Sequence, residues 1–138
     1  MIKEVWLNLP VKDVKKAREF YTKIGFEQNM RFPETAEMSC VTIGSKNIVL
    51  MLCAEHVFES FTQHPVSDPK TSSAVLFSID TETFEEIDGL AEKVKSAGGT
   101  VYAAPSESQG WMYGCGFTDL DGHRWNALYM DMSKMPKG

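Results

Sequence analysis

The side chains best suited to hold a metal or attack an electrophile are His56, His64 and His123, together with Cys40, Cys53 and Cys115. Their spacing argues against both uses. No Cys-x-x-Cys pair is present, and three cysteines do not suit a disulfide framework, so reduced thiols and a cytoplasmic protein are expected. His64 falls in a stretch rich in Pro, Ser and Thr, and His56 lies just past an apolar run. His123 follows Gly122 in a turn, where a polar residue suits the surface. Scattered imidazoles without neighbouring ligands do not build a zinc site. Cys115, between Gly114 and Gly116, has the surroundings of a small buried hydrophobe rather than a nucleophile.

The elements that must position any site can be read from periodicity. Val5, Leu7, Leu9 and Val11 alternate with Trp6, Asn8 and Pro10, as in a strand. Asp13 then suits a helix N-cap, with Val14, Ala17, Tyr21 and Ile24 on one face and Gly25 just past its end. Strand-like pieces follow at about 26–32, 36–43 and 47–53, the last two joined by Gly44-Ser45-Lys46-Asn47. Residues 55–63 suit a short helix or an ordered loop, and 65–72 a linker. The order then repeats. Val75, Phe77 and Ile79 mark a strand, and Thr83-Phe84-Glu85-Glu86 a capping box. Ile87, Leu90, Val94 and Ala97 form a helix face that ends at Gly98-Gly99, and strands follow at about 100–103, 111–118 and 123–130. This predicts an α+β fold of tandem βαβββ modules, half one at about 1–64 and half two at about 73–138, within a single domain. Each half has one helix to cover one sheet face, so the two sheets are expected to form an open curved eight-stranded cup with the helices outside.

Composition limits the partners. The net charge is −5, and no run of Lys or Arg is long enough to track a phosphate backbone, so neither nucleic acid nor an anionic membrane is expected. The longest apolar run, Ile48–Ala54, is far short of the ~20 residues of a membrane helix. A chain of this size buries about 68–70% of its unfolded surface, enough for a core without metal or disulfide.

Two motifs carry a resemblance. The first runs from Leu9 through Pro10, Val11, Asp13 and Phe20-Tyr21 to Ile24-Gly25-Phe26; the second is Phe117-Thr118-Asp119-Leu120-Asp121-Gly122-His123-Arg124-Trp125. With the repeated βαβββ order, they make the chain similar to the vicinal oxygen chelate superfamily of glyoxalases, bleomycin resistance proteins and extradiol dioxygenases. The resemblance implies four inward positions that in metal-dependent members supply His, Glu or Gln to a divalent cation. Here they fall on Trp6, Met51, a position near Ala74, and Asn126. Indole, thioether and methyl groups do not hold such a cation, and one Asn amide is a weak ligand, so neither metal nor other cofactor is expected.

The candidate ligand-binding set is therefore Trp6, Asn8, Met51, Trp111, Tyr113, Arg124 and Asn126. Trp6 and Asn8 share one strand face, and Arg124 and Asn126 share another. These groups either line a hollow cup or fill it. Tyr113 either donates to a ligand oxygen or only packs, and Arg124 is either a solvated rim residue or an anion clamp. The first function expected is metal-independent binding of a small, partly aromatic molecule, as in the sequestering resistance proteins. The alternative is a lyase, isomerase or dioxygenase acting on a small molecule. The resemblance also implies a homodimer.

Overall fold

The computed structural model describes residues 1–136. The chain forms two compact units, Met1–Asp68 and Pro69–Gly138. Among the described residues there are two four-stranded mixed sheets and three α-helices, the α+β class expected. No helix among them is long and apolar enough to cross a membrane.

In the first unit β1 (Trp6–Val11) runs parallel to β4 (Ile48–Ala54). β3 (Met38–Ile43) pairs antiparallel with β4, and the short β2 (Glu27–Gln28) closes the order β1-β4-β3-β2. Helix α1 (Val14–Lys23) starts where Asp13 accepts a hydrogen bond from the Lys16 backbone N–H at 3.0 Å. It ends at Ile24, with Gly25 at φ +118, a conformation that glycine adopts without steric cost. Val14, Ala17, Phe20 and Tyr21 are buried on α1, while Val41, Leu50 and Leu52 are fully buried on one face of the sheet.

The strand expected over 26–32 shortens to two residues. The Asn29 side chain accepts from the Arg31 N–H at 2.8 Å, a local turn that competes with the ladder just before Pro33. Residues 55–62 form a true helix, α2 (Glu55–Thr62), stopped by Gln63 at φ +56.

In the second unit β5 (Leu76–Asp80) is parallel to β8 (Arg124–Met130), and β7 (Met112–Thr118) and β6 (Thr100–Ser108) complete the order β5-β8-β7-β6. Helix α3 (Phe84–Ser96) begins at the capping box, with Thr83 Oγ1 accepting from Glu86 N–H at 3.4 Å. Ile87, Leu90, Ala91 and Val94 of α3 are buried, as are Cys115, Phe117, Trp125 and Ala127, which share one sheet face. Strand β6 is longer than its sequence suggests and passes through Pro105. It is an edge strand, and its register shifts between Ala103 and Ser106, so no ladder bond is needed from the proline.

The β7–β8 turn is built on one carboxylate. Asp119 is 4% exposed, and its Oδ1 accepts from the backbone N–H groups of Asp121, Gly122 and His123 at 2.9–3.0 Å. Gly122 has φ +102, and a Cβ there would come within 3.2 Å of the Lys70 backbone nitrogen. Replacing Asp119 by Ala leaves buried N–H groups unpaired and should lower stability by about 1–3 kcal/mol in urea unfolding, whereas Asp119→Asn, which keeps an acceptor oxygen, should lose less.

Candidate functional site

Each sheet has one face against its long helix and one face turned away, and strand alternation assigns the candidate residues between them. In the first unit Trp6, Asn8 and Met51 lie on the face away from α1, since Asn8 sits directly across from Met51 and Trp6 across from Val49. This face is covered in part. Cys40, Val49, Met51 and Cys53 form a buried cluster with Phe32, Met38, Val57 and Phe58 packed against it. Met51 is thus a core residue, 7% exposed, with α2 as part of its cover.

Trp6 and Asn8 are exposed at the edge of that cluster. The Trp6 ring meets Phe32 edge-on at 5.0 Å, and the Arg31 guanidinium lies 5.5 Å from the Trp6 ring centroid. Glu4 holds Arg31 through two hydrogen bonds of 2.8 and 2.9 Å. That bidentate contact lowers the Glu4 pKa and raises that of Arg31. Arg31 and Phe32 were hidden in the sequence because the segment reads as strand.

In the second unit Arg124, Asn126 and Leu128 lie on the face away from α3. Asn126 has Ser78 on one side and Gly116 on the other. Its Oδ1 is buried and accepts no hydrogen bond. Arg124 lies with its guanidinium 4.3 Å from the Tyr102 ring centroid, a cation–π contact. Tyr102 in turn donates from its hydroxyl to the Trp125 carbonyl at 3.3 Å. The ring needs Gly116 beneath it, because a Cβ there would meet ring atoms at 2.5 Å. Gly114 likewise leaves room for Leu128, whose Cδ2 would be 2.7 Å from an added Cβ. Glycine at both positions is therefore what lets side chains of the neighbouring strands lie flat across β7.

Trp111 and Tyr113 are not with Asn126. Tyr113 pairs with Tyr129 on the α3 face of the sheet, and its hydroxyl donates to Asp88. That hydrogen bond, the burial and the Asp88 charge raise the Tyr113 pKa, so it stays a protonated donor. Trp111 precedes β7, and its carbonyl accepts from Asp131 N–H at 2.8 Å. The seven candidates therefore fall into three groups: Trp6 with Asn8 and Met51, Arg124 with Asn126, and Trp111 with Tyr113. Residues missed from the sequence are Tyr102, Ser78 and Asp80. Positions 76, 78 and 80 alternate onto the Asn126 face, so the strand period carried a signal for the last two.

The position expected near Ala74 requires correction. Ala74 precedes β5, which begins at Leu76, and the strand residue seven before the helix N-cap Thr83 is Leu76, opposite Arg124. The polar linker delays the strand. The four superfamily ligand positions thus carry indole, thioether, isobutyl and amide groups, and one thioether is enclosed in an apolar cluster. This donor set does not fit a divalent cation. Among the described residues no group of three or more His, Cys, Asp or Glu is gathered elsewhere. His56 instead faces Glu37 at 3.3 Å on the surface.

Paired βαβββ units with an Asp-x-Asp-Gly turn before the last strand define a glyoxalase-like protein. The profile of the Glyoxalase/Bleomycin resistance protein/Dioxygenase superfamily matches residues 5–127, and the chain belongs to that superfamily. The structure is similar to that of a hypothetical protein, SA1046, from S. aureus, with 36% identity over 94% of this chain and 95% of that one and a TM-score of 0.82. It shares its fold with a glyoxalase-related enzyme from Fulvimarina pelagi (17% identity, 99% and 94% coverage, TM-score 0.79). The same holds for a glyoxalase/bleomycin resistance protein/dioxygenase family enzyme from Burkholderia phytofirmans PsJN (18% identity, 91% and 96% coverage, TM-score 0.76). Among curated protein sequences no match is found.

The thiols behave as hydrophobes. Burial raises the pKa of Cys40 and Cys115 and pushes Cys53 up to about 11. The unfolded chain, with thiols near ~8.5, ionises first. The stabilisation from the neutral buried Cys53 thiol is therefore complete below about pH 8.5 and is lost as pH rises towards about 11. Native protein at pH 8 should leave Cys40, Cys53 and Cys115 largely unmodified by a chromogenic disulfide reagent, and all should react once urea unfolds the chain. Fast native modification would contradict their burial.

Proposed function

We propose that the chain is a metal-independent small-molecule-binding member of its superfamily, and that its ligand, small and partly aromatic, lies on the Asn126 face of the second unit's sheet. The observation that carries this reading is the buried, unpaired Asn126 Oδ1. A buried acceptor without a donor costs about 1–3 kcal/mol, a cost that a ligand N–H or O–H relieves. The Tyr102 ring supplies an apolar wall, and Arg124 stacked on it supplies a cation for an acidic or carbonyl group on the ligand. Trp6 and Asn8 present an exposed indole and amide on the corresponding face of the first unit.

The donor chemistry of the four superfamily positions supports binding without a metal. Catalysis of lyase, isomerase or dioxygenase type would call on Asp80, the carboxylate on the Asn126 face of β5, and among the described residues no partner group that would position its proton supports that role. Free, buried cysteines support residence in a reducing cytoplasm.

Purified protein should carry well under one equivalent of nickel, zinc, iron or manganese, and EDTA should leave its melting temperature unchanged. In a thermal-shift screen of small aromatic compounds bearing a donor group, hits should lose most of their shift in Asn126→Leu. The variant itself should melt no lower than the parent by more than a few degrees, since it removes an unsatisfied group. Equimolar metal, or hits indifferent to Asn126→Leu, would overturn the assignment.

A further inference from the structure

A pocket lies on the opposite side of the same sheet from Asn126, apart from the face proposed for that residue's ligand. It measures about 430 Å³, within the range of small-molecule sites, and belongs wholly to the second unit. Its walls are aromatic. Phe84, the first residue of α3, packs edge-on against Tyr113 at 5.7 Å and lies 6.5 Å from Tyr129 at a 54° tilt. Trp111 closes another side, held by the turn at Gln109 and Gly110, both with φ near +60 to +80. This turn follows the extension of β6 to Ser108, which sequence periodicity does not reveal. Rings set at steep angles to one another line a half-open cleft with both edges and faces.

The polar lining is mainly acidic. Glu107 and Asp131 contribute carboxylates, and Lys134 one ammonium. Asp131 Oδ1 accepts from the Ser133 N–H at 3.1 Å, while Oδ2 meets Lys134 Nζ only at 3.9 Å. None of the ion pairs among the described residues uses Glu107. Hydrogen bonds from Ser133 lower the Asp131 pKa, so its charge is present at neutral pH. At the end of the Tyr113 ring, Asp88 accepts a hydrogen bond from the hydroxyl and adds negative character to the aromatic wall.

From this combination we infer that the pocket formed by Phe84, Trp111, Tyr113 and Tyr129 with Glu107 and Asp131 is a binding site for a small organic ammonium ion. A ring quadrupole attracts a cation over its face, and a bulky, weakly hydrated ammonium gives up little hydration on entering an aromatic enclosure. The carboxylates at the rim select charge, while the rings select an alkylated head over a bare metal ion. An anion or a neutral planar molecule would gain nothing from Glu107 and Asp131. Lys134, already an ammonium beside Asp131, acts as an internal competitor whose exposed side chain swings away when the ligand enters.

The test uses the whole chain and calorimetric titration with choline, against its uncharged carbon isostere 3,3-dimethyl-1-butanol. Choline should bind at least about five-fold more tightly than the isostere. Trp111→Ala should remove choline binding; Trp111→Phe, which keeps a π face and guards against a folding defect, should retain part of it. Glu107→Gln should weaken choline by several-fold without affecting the isostere. Lys134→Ala should strengthen choline binding. Equal binding of the two compounds, no binding of choline, or weaker binding in Lys134→Ala would overturn the inference. None of these outcomes bears on the Asn126 face, whose test uses different compounds and a different variant.

Discussion

A single amphipathic helix can cover only one face of a four-stranded sheet, and strand alternation forces every second residue onto the other face. Both units of this chain meet that constraint, and their differences lie in how the remaining face is treated. In the first unit α2 and Phe32 settle on part of it and make a second small core around Cys40, Met51 and Cys53. Among the described residues of the second unit no helix does so. Glycines at 114 and 116 remove side chains from the central strand, and Tyr102 and Leu128 from the neighbouring strands lie across the gap. The first unit therefore covers part of its open face with an apolar cluster, and the second leaves Asn126 with an unpaired buried acceptor.

The same division of faces separates the residues that carry the packing from the four positions at which the superfamily resemblance would put metal ligands. The helix-facing residues carry the packing: Leu50 and Leu52 in the first unit, Phe117 and Trp125 in the second, all essentially inaccessible to solvent. The other face contributes less to the core, so its residues can be exchanged at smaller cost. Trp6, Met51, Leu76 and Asn126 lie on that face. Met51, a soft and adaptable side chain, is part of the cluster under α2.

The second unit is also the more polarised of the two chemically. Its sheet has an amide and a cation stacked on a ring on one side, and an aromatic enclosure with acidic residues on the other. Tyr113 and Asn126 are separated by the thickness of the sheet even though their strands are neighbours. Seen only as a stretch of chain, Trp111 to Asn126 looks like one set of binding groups. The pleat divides it.

Most elements and their order are written locally in the chain, because hydrophobic periodicity, the Asp13 and Thr83 caps and the glycines at 25, 98 and 122 act over a few residues. The sequence by itself also determined that Trp6 and Asn8 share a face and that Arg124 and Asn126 share another, since alternation is a property of the strand alone. Trp6, Met51 and Asn126 fall on strands as expected, while the strand expected at Ala74 begins two residues later at Leu76, because a polar linker gives no sharp strand start. Tertiary structure alone decided which face α2 and Phe32 would cover, because a short helix with no buried residue of its own finds its place only through packing. It also decided that β6 would continue past Pro105, which an edge position and a register shift make tolerable. Through that extension and the register of β7 on β8, it set Trp111 and Tyr113 beside Phe84 and Tyr129. Such meetings depend on strand pairing between distant segments, which local sequence does not encode.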